Sequence, residues 1–204
     1  MGIGKGQQWG RLGSLPADGV VAASDAEARR LVEQSRARGE PFPVLGLTGG
    51  DLWRTLGGSG VGNPERLHSE DAMTFQVDVG EVLVDGRPLL FVAHVIAHSW
   101  AWRRTLVAMN AQWRGGWDLG PRSHPNDGLL DTCNARLTFT DVWKVRARLP
   151  TGTHLPHPRI KERRVASIQV EFDRPVVVEL DGMAVGKASA LALGLEPDAL
   201  TVVV

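Results

Sequence analysis

From about residue 72 to the C-terminus, apolar residues recur at every second position in a series of short segments. A period of two is that of a β-strand with one buried face, and short strands separated by turn signals are typical of a β-sandwich. Asp85-Gly86 and Asp181-Gly182 lie between such segments. They predict tight hairpin turns, because both central residues of these turns take positive φ. The segments are MTFQVDVG, EVLVDGRPLLFVAHVIA, LLDTCNARLTF, RVASIQVEF, PVVVELDGMAVG and ALTVVV.

Two segments in this part of the chain depart from the period of two. The first, WAWRRTLVAMNAQW at residues 100–113, is compatible with a helix. The second, TDVWKVRARL at residues 140–149, predicts a short crossover helix. We therefore expect one or two helices among the strands of the sandwich.

The first third of the chain alternates between strand-like and helix-like segments. VVAA, residues 20–23, predicts a short buried strand. Ser24 and Glu27 then have the spacing of a capping box, and Gly39 ends the following helix. PVLGL, residues 43–47, predicts a second strand.

Only one strand–helix–strand unit precedes Gly49, because each such unit takes about 30 or more residues. A complete doubly wound domain therefore does not fit. The predicted fold class is α+β, with an abbreviated βαβ unit at residues 1–60. This unit is expected to pack on a larger antiparallel β-sandwich at residues 61–204.

Charge and cysteine content narrow the classes of function. Among 204 residues, 23 Lys and Arg balance 23 Asp and Glu, which argues against a nucleic-acid partner. Cys133 is the single cysteine of the chain, which suits a reducing compartment. The N-terminal sequence MGIGKGQQWG has no apolar core of a signal peptide, and no run of about 18 apolar residues exists. These features predict a cytoplasmic location.

Two stretches have the composition of a ligand site. Thr48-Gly49-Gly50 stands between a strand and a helix, where backbone amides can approach a phosphate, although no P-loop lysine follows. Asp127 and Asp131 could hold a hard cation. The alternative for the second stretch is a β-turn whose Asx side chains bond their own backbone.

Four stretches in fixed order carry a resemblance to a known family. They are NAQ…GG…P…HPNDGLLD at 110–131, LPTGTHLPHPRI at 149–160, PVVVELDG at 175–182 and EPDALTVVV at 196–204. Their order and spacing resemble the C-terminal half of the diacylglycerol kinase catalytic family, which includes sphingosine kinases and bacterial lipid kinases. Each motif is weak alone, and together they are fairly specific.

The segment TGGDLWRTLGG, residues 48–58, is similar to the second nucleotide loop of that family, Gly-Thr-Gly-Asn-Asp-Leu-Ala-Arg-x-Leu-Gly. The resemblance implies that nucleotide binds at Thr48, Gly49, Gly50, Asp51 and Arg54, in a cleft between an α/β domain and a β-sandwich. It also implies that Asp51 contacts Mg²⁺ or phosphate through water. The alternative is that Asp51 only caps a helix.

The resemblance further implies that Asp181 accepts a proton from the substrate hydroxyl. Two departures bear on this role. The family's first nucleotide loop, Gly-Gly-Asp-Gly-Thr, has no counterpart in residues 1–44, and Met183 stands where the family has Glu. Since losing one preorganised donor typically lowers a rate by about 10²- to 10³-fold, these departures predict weak or absent catalysis.

Two functional hypotheses follow from the resemblance. In the first, the chain uses ATP and Mg²⁺ to phosphorylate a lipid hydroxyl or another apolar alcohol. In the second, it is a catalytically inactive homologue that acts as a ligand-binding or scaffold protein. Either is compatible with peripheral membrane contact and with a homo-oligomer.

Other side chains have two interpretations on sequence. His94 and His98 are spaced four residues apart but lack the Glu of the zinc-protease motif, so core or rim positions are favoured over metal ligation. Four tryptophans cluster in the sequence and would line an apolar lipid groove or belong to the core. They are Trp100, Trp102, Trp113 and Trp117.

Overall fold

The computed structural model describes residues 9–204. The N-terminal unit consists of β1 (Arg11–Leu12), β2 (Val20–Ala22), α1 (Asp25–Arg38), β3 (Leu45–Leu47) and α2 (Asp51–Thr55). Strands β2 and β3 pair in parallel, with α1 as their crossover. The predicted strand–helix–strand unit is therefore confirmed.

Helix α1 begins and ends at the residues that the sequence predicts. The Ser24 hydroxyl accepts the Glu27 amide, and Gly39 closes the helix with φ of 68°. Its buried face includes Ala28 and Val32, which pack over the sheet. Local capping and apolar spacing thus fix this helix.

The remaining strands form an antiparallel assembly. They are β4 (Met73–Val84), β5 (Arg87–Phe91), β6 (His94–His98), β7 (Arg104–Met109), β8 (Trp113–Arg114), β9 (Trp117–Asp118), β10 (Leu130–Arg136), β11 (Ile160–Val165), β12 (Ser167–Leu180) and β13 (Met183–Val203).

The main sheet runs in the order β1-β4-β13-β12-β6-β7-β10-β11, with β5 paired to β4. Strands β8 and β9 form a separate hairpin. The end of β13 pairs in parallel with β3 through Val202 and Val203. The βαβ unit therefore continues the same hydrogen-bonded sheet as the antiparallel strands.

The sheet folds over on itself, so that its inner faces share one core. Val82 of β4 and Leu193 of β13 pack in the same cluster as Val95 of β6 and Leu106 of β7. A second cluster lies between α1 and the strands β3, β4 and β13. The architecture is α+β, an abbreviated βαβ unit packed on a larger antiparallel β-sandwich, as predicted.

The helix considered for residues 100–113 is wrong. Trp100–Trp102 form a short 3₁₀ turn, and Arg104–Met109 form strand β7. Leu106 and Ala108 face the sandwich core, whereas Val107 and Met109 face a cluster on the other side of the sheet. Because both faces of β7 are buried from Leu106 to Met109, this part of its sequence is continuously apolar and does not alternate.

The crossover helix predicted at residues 140–149 is confirmed as α3 (Phe139–Arg148). Thr138 and Asp141 form its capping box. The inner face of α3 includes Val145, which packs on the outer side of β6 and β7. Of the helices in residues 9–204, none is long and apolar enough to cross a bilayer.

Candidate functional site

Asp181 is a buried anchor between β12 and β13. It lies in the hairpin turn that the sequence predicts, with φ of 50° at Asp181 and 81° at Gly182. Its Oδ1 accepts the amides of Ala93 and His94 at 2.8 and 3.0 Å, and its Oδ2 accepts the Val92 amide at 3.1 Å. The side chain has no solvent exposure. The β12–β13 turn is thereby fastened to the backbone between β5 and β6.

Asp25, the first residue of α1, caps a different helix. Its two carboxylate oxygens accept the amide of Asp51 at 2.5 Å and the amide of Leu52 at 3.0 Å, at the start of α2. Capping from another segment holds the N-termini of α1 and α2 together. Helix α2 has no side-chain cap of its own, because its N-cap residue is Gly50.

The turn between β3 and α2 lies so close to the turn between β2 and α1 that positions 49 and 50 require glycine. A Cβ on Gly49 would lie 2.5 Å from the Ala23 carbonyl oxygen, and one on Gly50 would lie 2.6 Å from the Asp25 carboxylate. Gly50 also has φ of 100°. Both glycines are therefore explained by contact with the β2–α1 turn.

The backbone amides of the β2–α1 turn are bonded to oxygens of the chain itself. Glu27 accepts the Ala23 amide at 3.0 Å, and Ser24 accepts the Glu27 amide at 3.2 Å. On the neighbouring strand, the Thr48 amide donates to the Ala22 carbonyl at 3.0 Å. Together with the Asp25 cap, these bonds occupy several of the amides at the starts of α1 and α2 for which a phosphate would compete.

Asp51 and Arg54 fasten α2 to the β8–β9 hairpin. Asp51 Oδ1 accepts the Gly115 amide at 2.5 Å, and its Oδ2 lies 3.8 Å from His94 Nδ1. The Arg54 guanidinium donates to the Gly115 carbonyl and lies 3.7 Å from the centre of a Trp113 ring. Since His94 also donates its amide to Asp181, the structure brings Asp51 and Asp181 into one cluster.

Burial dominates the protonation of this cluster. It raises the pKa of Asp181 to about 7, with a further contribution from the charge of Asp25. Burial likewise raises the pKa of Asp25 to about 6 and raises the pKa of Asp51. Burial, followed by the nearby Arg114 charge, lowers the pKa of His94 to about 3. His94 is therefore neutral at pH 7.

Arg29 of α1 brings a cation to these acids. Its Nε lies 4.0 Å from Asp181 Oδ2, and its side chain is 13% exposed. Within the described residues, this Nε is buried and has no hydrogen-bond partner. Arg29 therefore places a cation beside Asp181, while the charges of Arg54 and Arg114 act on Asp51.

Asp127 and Asp131 lie in a turn and at the start of β10. Asp127 Oδ1 accepts the Leu129 amide at 3.0 Å, which is the Asx turn considered above. Arg164 pairs with both Asp127 and Asp131. Throughout residues 9–204, no group of three or more His, Cys, Asp or Glu side chains is arranged to hold a metal ion. The metal roles of Asp51, Asp127 and Asp131 stay predictions.

The two histidines occupy strand β6. His94 is buried and contacts the Ala111 carbonyl, whereas His98 lies 3.3 Å from Glu179 and stacks on Trp102 at 4.0 Å between ring centres. Both positions are those of core or rim side chains.

The sequence prediction misses two members of the cluster, Arg29 and Asp25. In the sequence Asp25 is an ordinary acidic residue in the first turn of α1, and its contacts lie 26 and 27 residues further along the chain. A usable signal is present in the sequence. Ala23-Ser24-Asp25-Ala26-Glu27 follows a strand and has Asp at the centre, as does the Gly-Gly-Asp-Gly-Thr loop.

Comparisons with known proteins identify the family and the fold of the chain. Residues 68–204 match the YegS C-terminal NAD kinase beta sandwich-like domain. Because the match covers more than half of the chain, the chain belongs to this family, and the predicted resemblance to the diacylglycerol kinase and YegS-like lipid kinases is confirmed.

Solved structures from Bacillus anthracis str. Sterne have the same fold. One, described as a diacylglycerol kinase, is 16% identical with a TM-score of 0.64, and the match covers 91% of this chain and 75% of the other. Another, whose assignment as a diacylglycerol kinase is provisional, is 14% identical with a TM-score of 0.69, covering 91% and 76%. Among curated proteins, none matches the chain.

Replacing Arg54 with alanine is expected to lower the free energy of unfolding by about 1–2 kcal/mol. The change removes the hydrogen bond to Gly115 and the contact with the Trp113 ring. Urea unfolding measures the effect. Arg38→Ala is the control, because Arg38 is exposed at the end of α1 and its ion pair with Glu40 lies in solvent. Equal losses in the two variants would contradict a docking role for Arg54.

Proposed function

We propose that the chain is a lipid-kinase-like protein that binds an apolar alcohol or lipid without transferring phosphate to it. The observation that carries this proposal is the hydrogen bonding of backbone amides in the β2–α1 and β3–α2 turns. Ser24, Asp25 and Glu27 already bind the amides at the starts of α1 and α2. A nucleotide phosphate would have to displace these side chains.

The charges of the cluster support the same conclusion. When ionised, Asp25, Asp51 and Asp181 repel a phosphate. The cations nearby already face carboxylates, since Arg29 lies beside Asp181 and the charges of Arg54 and Arg114 act on Asp51. Phosphoryl transfer depends on positioned cations and metal that neutralise the transferred group. The residues at this site therefore do not fit a nucleotide with Mg²⁺.

An apolar cavity offers a place for the ligand. It lies between α3 and the outer face of the sheet, has a volume of about 90 Å³, and is lined by Trp102, Trp117 and Val145 among others. Small-molecule sites usually have about 300–1,000 Å³. Binding an acyl chain here therefore requires α3 to move outward.

One observation favours the kinase hypothesis as a second candidate. A general base works best when its pKa is near the operating pH, and the pKa of Asp181 is about 7. To accept a hydroxyl proton, this buried carboxylate would have to give up amide partners and become accessible. The experiment below separates the two candidates.

Millimolar ATP with Mg²⁺ is expected to leave the melting temperature of the chain unchanged, because side chains of the chain already bind amides at the starts of α1 and α2. A ligand at 100 times its Kd would stabilise the fold by about 2.7 kcal/mol, which is readily measured. Short-chain diacylglycerol is expected to raise the melting temperature. Labelled phosphate is not expected to enter lipid extracts incubated with the chain and ATP.

A loop variant sharpens the test. Combining Ala23→Gly, Ser24→Gly, Ala26→Gly and Glu27→Thr produces the family's Gly-Gly-Asp-Gly-Thr pattern and removes two of the three competing side chains. This variant is expected to show a larger ATP-dependent shift than the original chain. A shift in the original chain together with lipid labelling that Asp181→Asn abolishes would refute the proposal.

A further inference from the structure

A wide groove crosses the sandwich on the side of α3. It has a volume of about 1160 Å³ and lies between the turn at residues 99–104, the start of α3 and the middle of β12. We call it the basic groove, because six of its lining side chains are cations. They are Arg103, Arg104, Arg136, Arg159, Arg174 and Lys187.

Negative charge is sparse among the lining residues. Asp173 is the one carboxylate among them, and it pairs with Arg104. Nearby, Asp141 pairs with Arg159 from the first turn of α3. The whole chain has a formal net charge of zero, so the groove concentrates positive charge on one side of a neutral molecule.

Exposed aromatic side chains border the same groove. Trp100, Phe139 and Trp143 are 85%, 52% and 77% exposed, and among residues 9–204 they are the exposed Trp and Phe side chains. The Trp100 and Phe139 rings meet edge to face at 6.3 Å between centres. Phe139 and Trp143 are four residues apart on α3 and therefore share one face of the helix.

The backbone holds Trp100 outward through an unusual turn. Ala101 and Trp102 both have positive φ, 58° and 59°, which L-residues other than glycine rarely adopt. The turn lets Trp102 stack inward on His98 while Trp100 points to solvent. The exposure of Trp100 is thus built into the fold.

We propose that the basic groove and its aromatic border dock on the surface of an anionic lipid bilayer. Arg and Lys attract anionic headgroups, and Trp and Phe enter the interface between headgroups and acyl chains. Trp143 lies on α3 outside the groove, so the aromatic residues continue beyond the cations as one face. A face of this kind suits a planar interface better than a single strand lying along the groove.

This surface lies apart from the Asp25–Asp181 cluster, so the inference does not depend on whether the chain transfers phosphate. It does place α3, which covers the apolar cavity, against the bilayer. An acyl chain could then pass between membrane and cavity without crossing water.

Vesicle sedimentation tests the proposal. The full chain is mixed with vesicles of phosphatidylcholine alone or with one quarter phosphatidylglycerol, and the bound fraction is measured at low and high salt. The chain is expected to bind the anionic vesicles, to bind neutral vesicles weakly, and to dissociate from the anionic ones at high salt. Arg136→Ala and Arg174→Ala are each expected to weaken partitioning by about fivefold.

Two further variants test the aromatic residues. Trp100→Ala and Trp143→Ala are expected to weaken vesicle binding severalfold while leaving the melting temperature unchanged, since both side chains are largely exposed. Arg122→Ala and Leu83→Ala are matched controls, because these side chains are exposed on other surfaces and the variants should bind vesicles normally.

Equal binding of the original chain to neutral and anionic vesicles would overturn the proposal. An equal loss of binding in the control variants would also overturn it. Competition by a single-stranded oligonucleotide that binds the chain more tightly than vesicles do would also overturn it.

Discussion

Asp181→Ala is expected to lower the free energy of unfolding by about 3–5 kcal/mol. The substitution leaves the buried amides of Val92, Ala93 and His94 without their acceptor, and each orphaned donor costs about 1–3 kcal/mol. Alanine at φ of 50° adds backbone strain, whereas loss of the repulsion from Asp25 offsets part of the cost. Urea unfolding monitored by Trp fluorescence measures the change.

Asp181→Asn is the matched control. Asparagine tolerates positive φ, and its side-chain carbonyl still accepts amide protons, so a smaller loss is expected. If both variants lost the same stability, the three amide bonds would not be the cause. Retained stability in the alanine variant would contradict the anchoring role altogether.

The free energy of unfolding of the original chain, compared with that of Asp181→Asn, is expected to depend on pH. The pKa of Asp181 is about 7 in the folded chain and about 3.9 for an unfolded aspartate, so between these values the native state holds a proton that the unfolded state has lost. Its stabilising contribution is complete below about pH 4 and lost as pH rises through about 7. The stability difference between the original chain and Asp181→Asn should therefore shrink from pH 5 to pH 7 and stay constant above it. A difference that grew with pH would show that the amides favour the ionised carboxylate more than burial opposes it.

Gly80→Val is expected to lower the free energy of unfolding by about 3 kcal/mol or more. Gly80 of β4 lies opposite Phe91 of β5, and a Cβ at this position would come within 2.1 Å of the Phe91 ring. The ring is fully buried, so it has no free space to enter, and overpacking a close-packed core is typically costly by about 1–3 kcal/mol or more. Because Phe91 directly precedes the amides that hold Asp181, the substitution should also loosen the candidate site.

Gly194→Val is the matched control for this prediction. Gly194 lies in β13, and a Cβ there would meet nothing within 4 Å. Its replacement should change stability little. Adding Phe91→Leu to Gly80→Val should recover part of the loss, since residues in contact give non-additive effects. Strict additivity of the two changes would show that the ring and the glycine do not interact.

How far the sequence predicts the fold depends on how local the determining contacts are. The start of α1 at Ser24 and the hairpin at Asp181-Gly182 rest on interactions within a few residues, and both are correct. Strand β7 rests on distant contacts. Its two faces are buried by different clusters, so its apolar run carries no period that distinguishes a strand from a helix.

The candidate site shows the same division. The sequence singles out Asp51 and Asp181 through motif order, and the structure joins them through His94. The sequence does not predict the role of Asp25, because the amides that it binds lie in the next helix. Asp127 and Asp131 both pair with Arg164, which is 33 residues beyond the second of them along the chain, so their spacing in the sequence does not reveal this partner.

The sequence by itself determined the α+β class, the first helix, the tight turns and the family, since these depend on short-range spacing and ordered motifs. Only the tertiary structure decided which amides remain available for a ligand and which aromatic residues face solvent. Both properties depend on what packs against a residue, and hydrogen-bond partners and burial come from segments far apart in the chain.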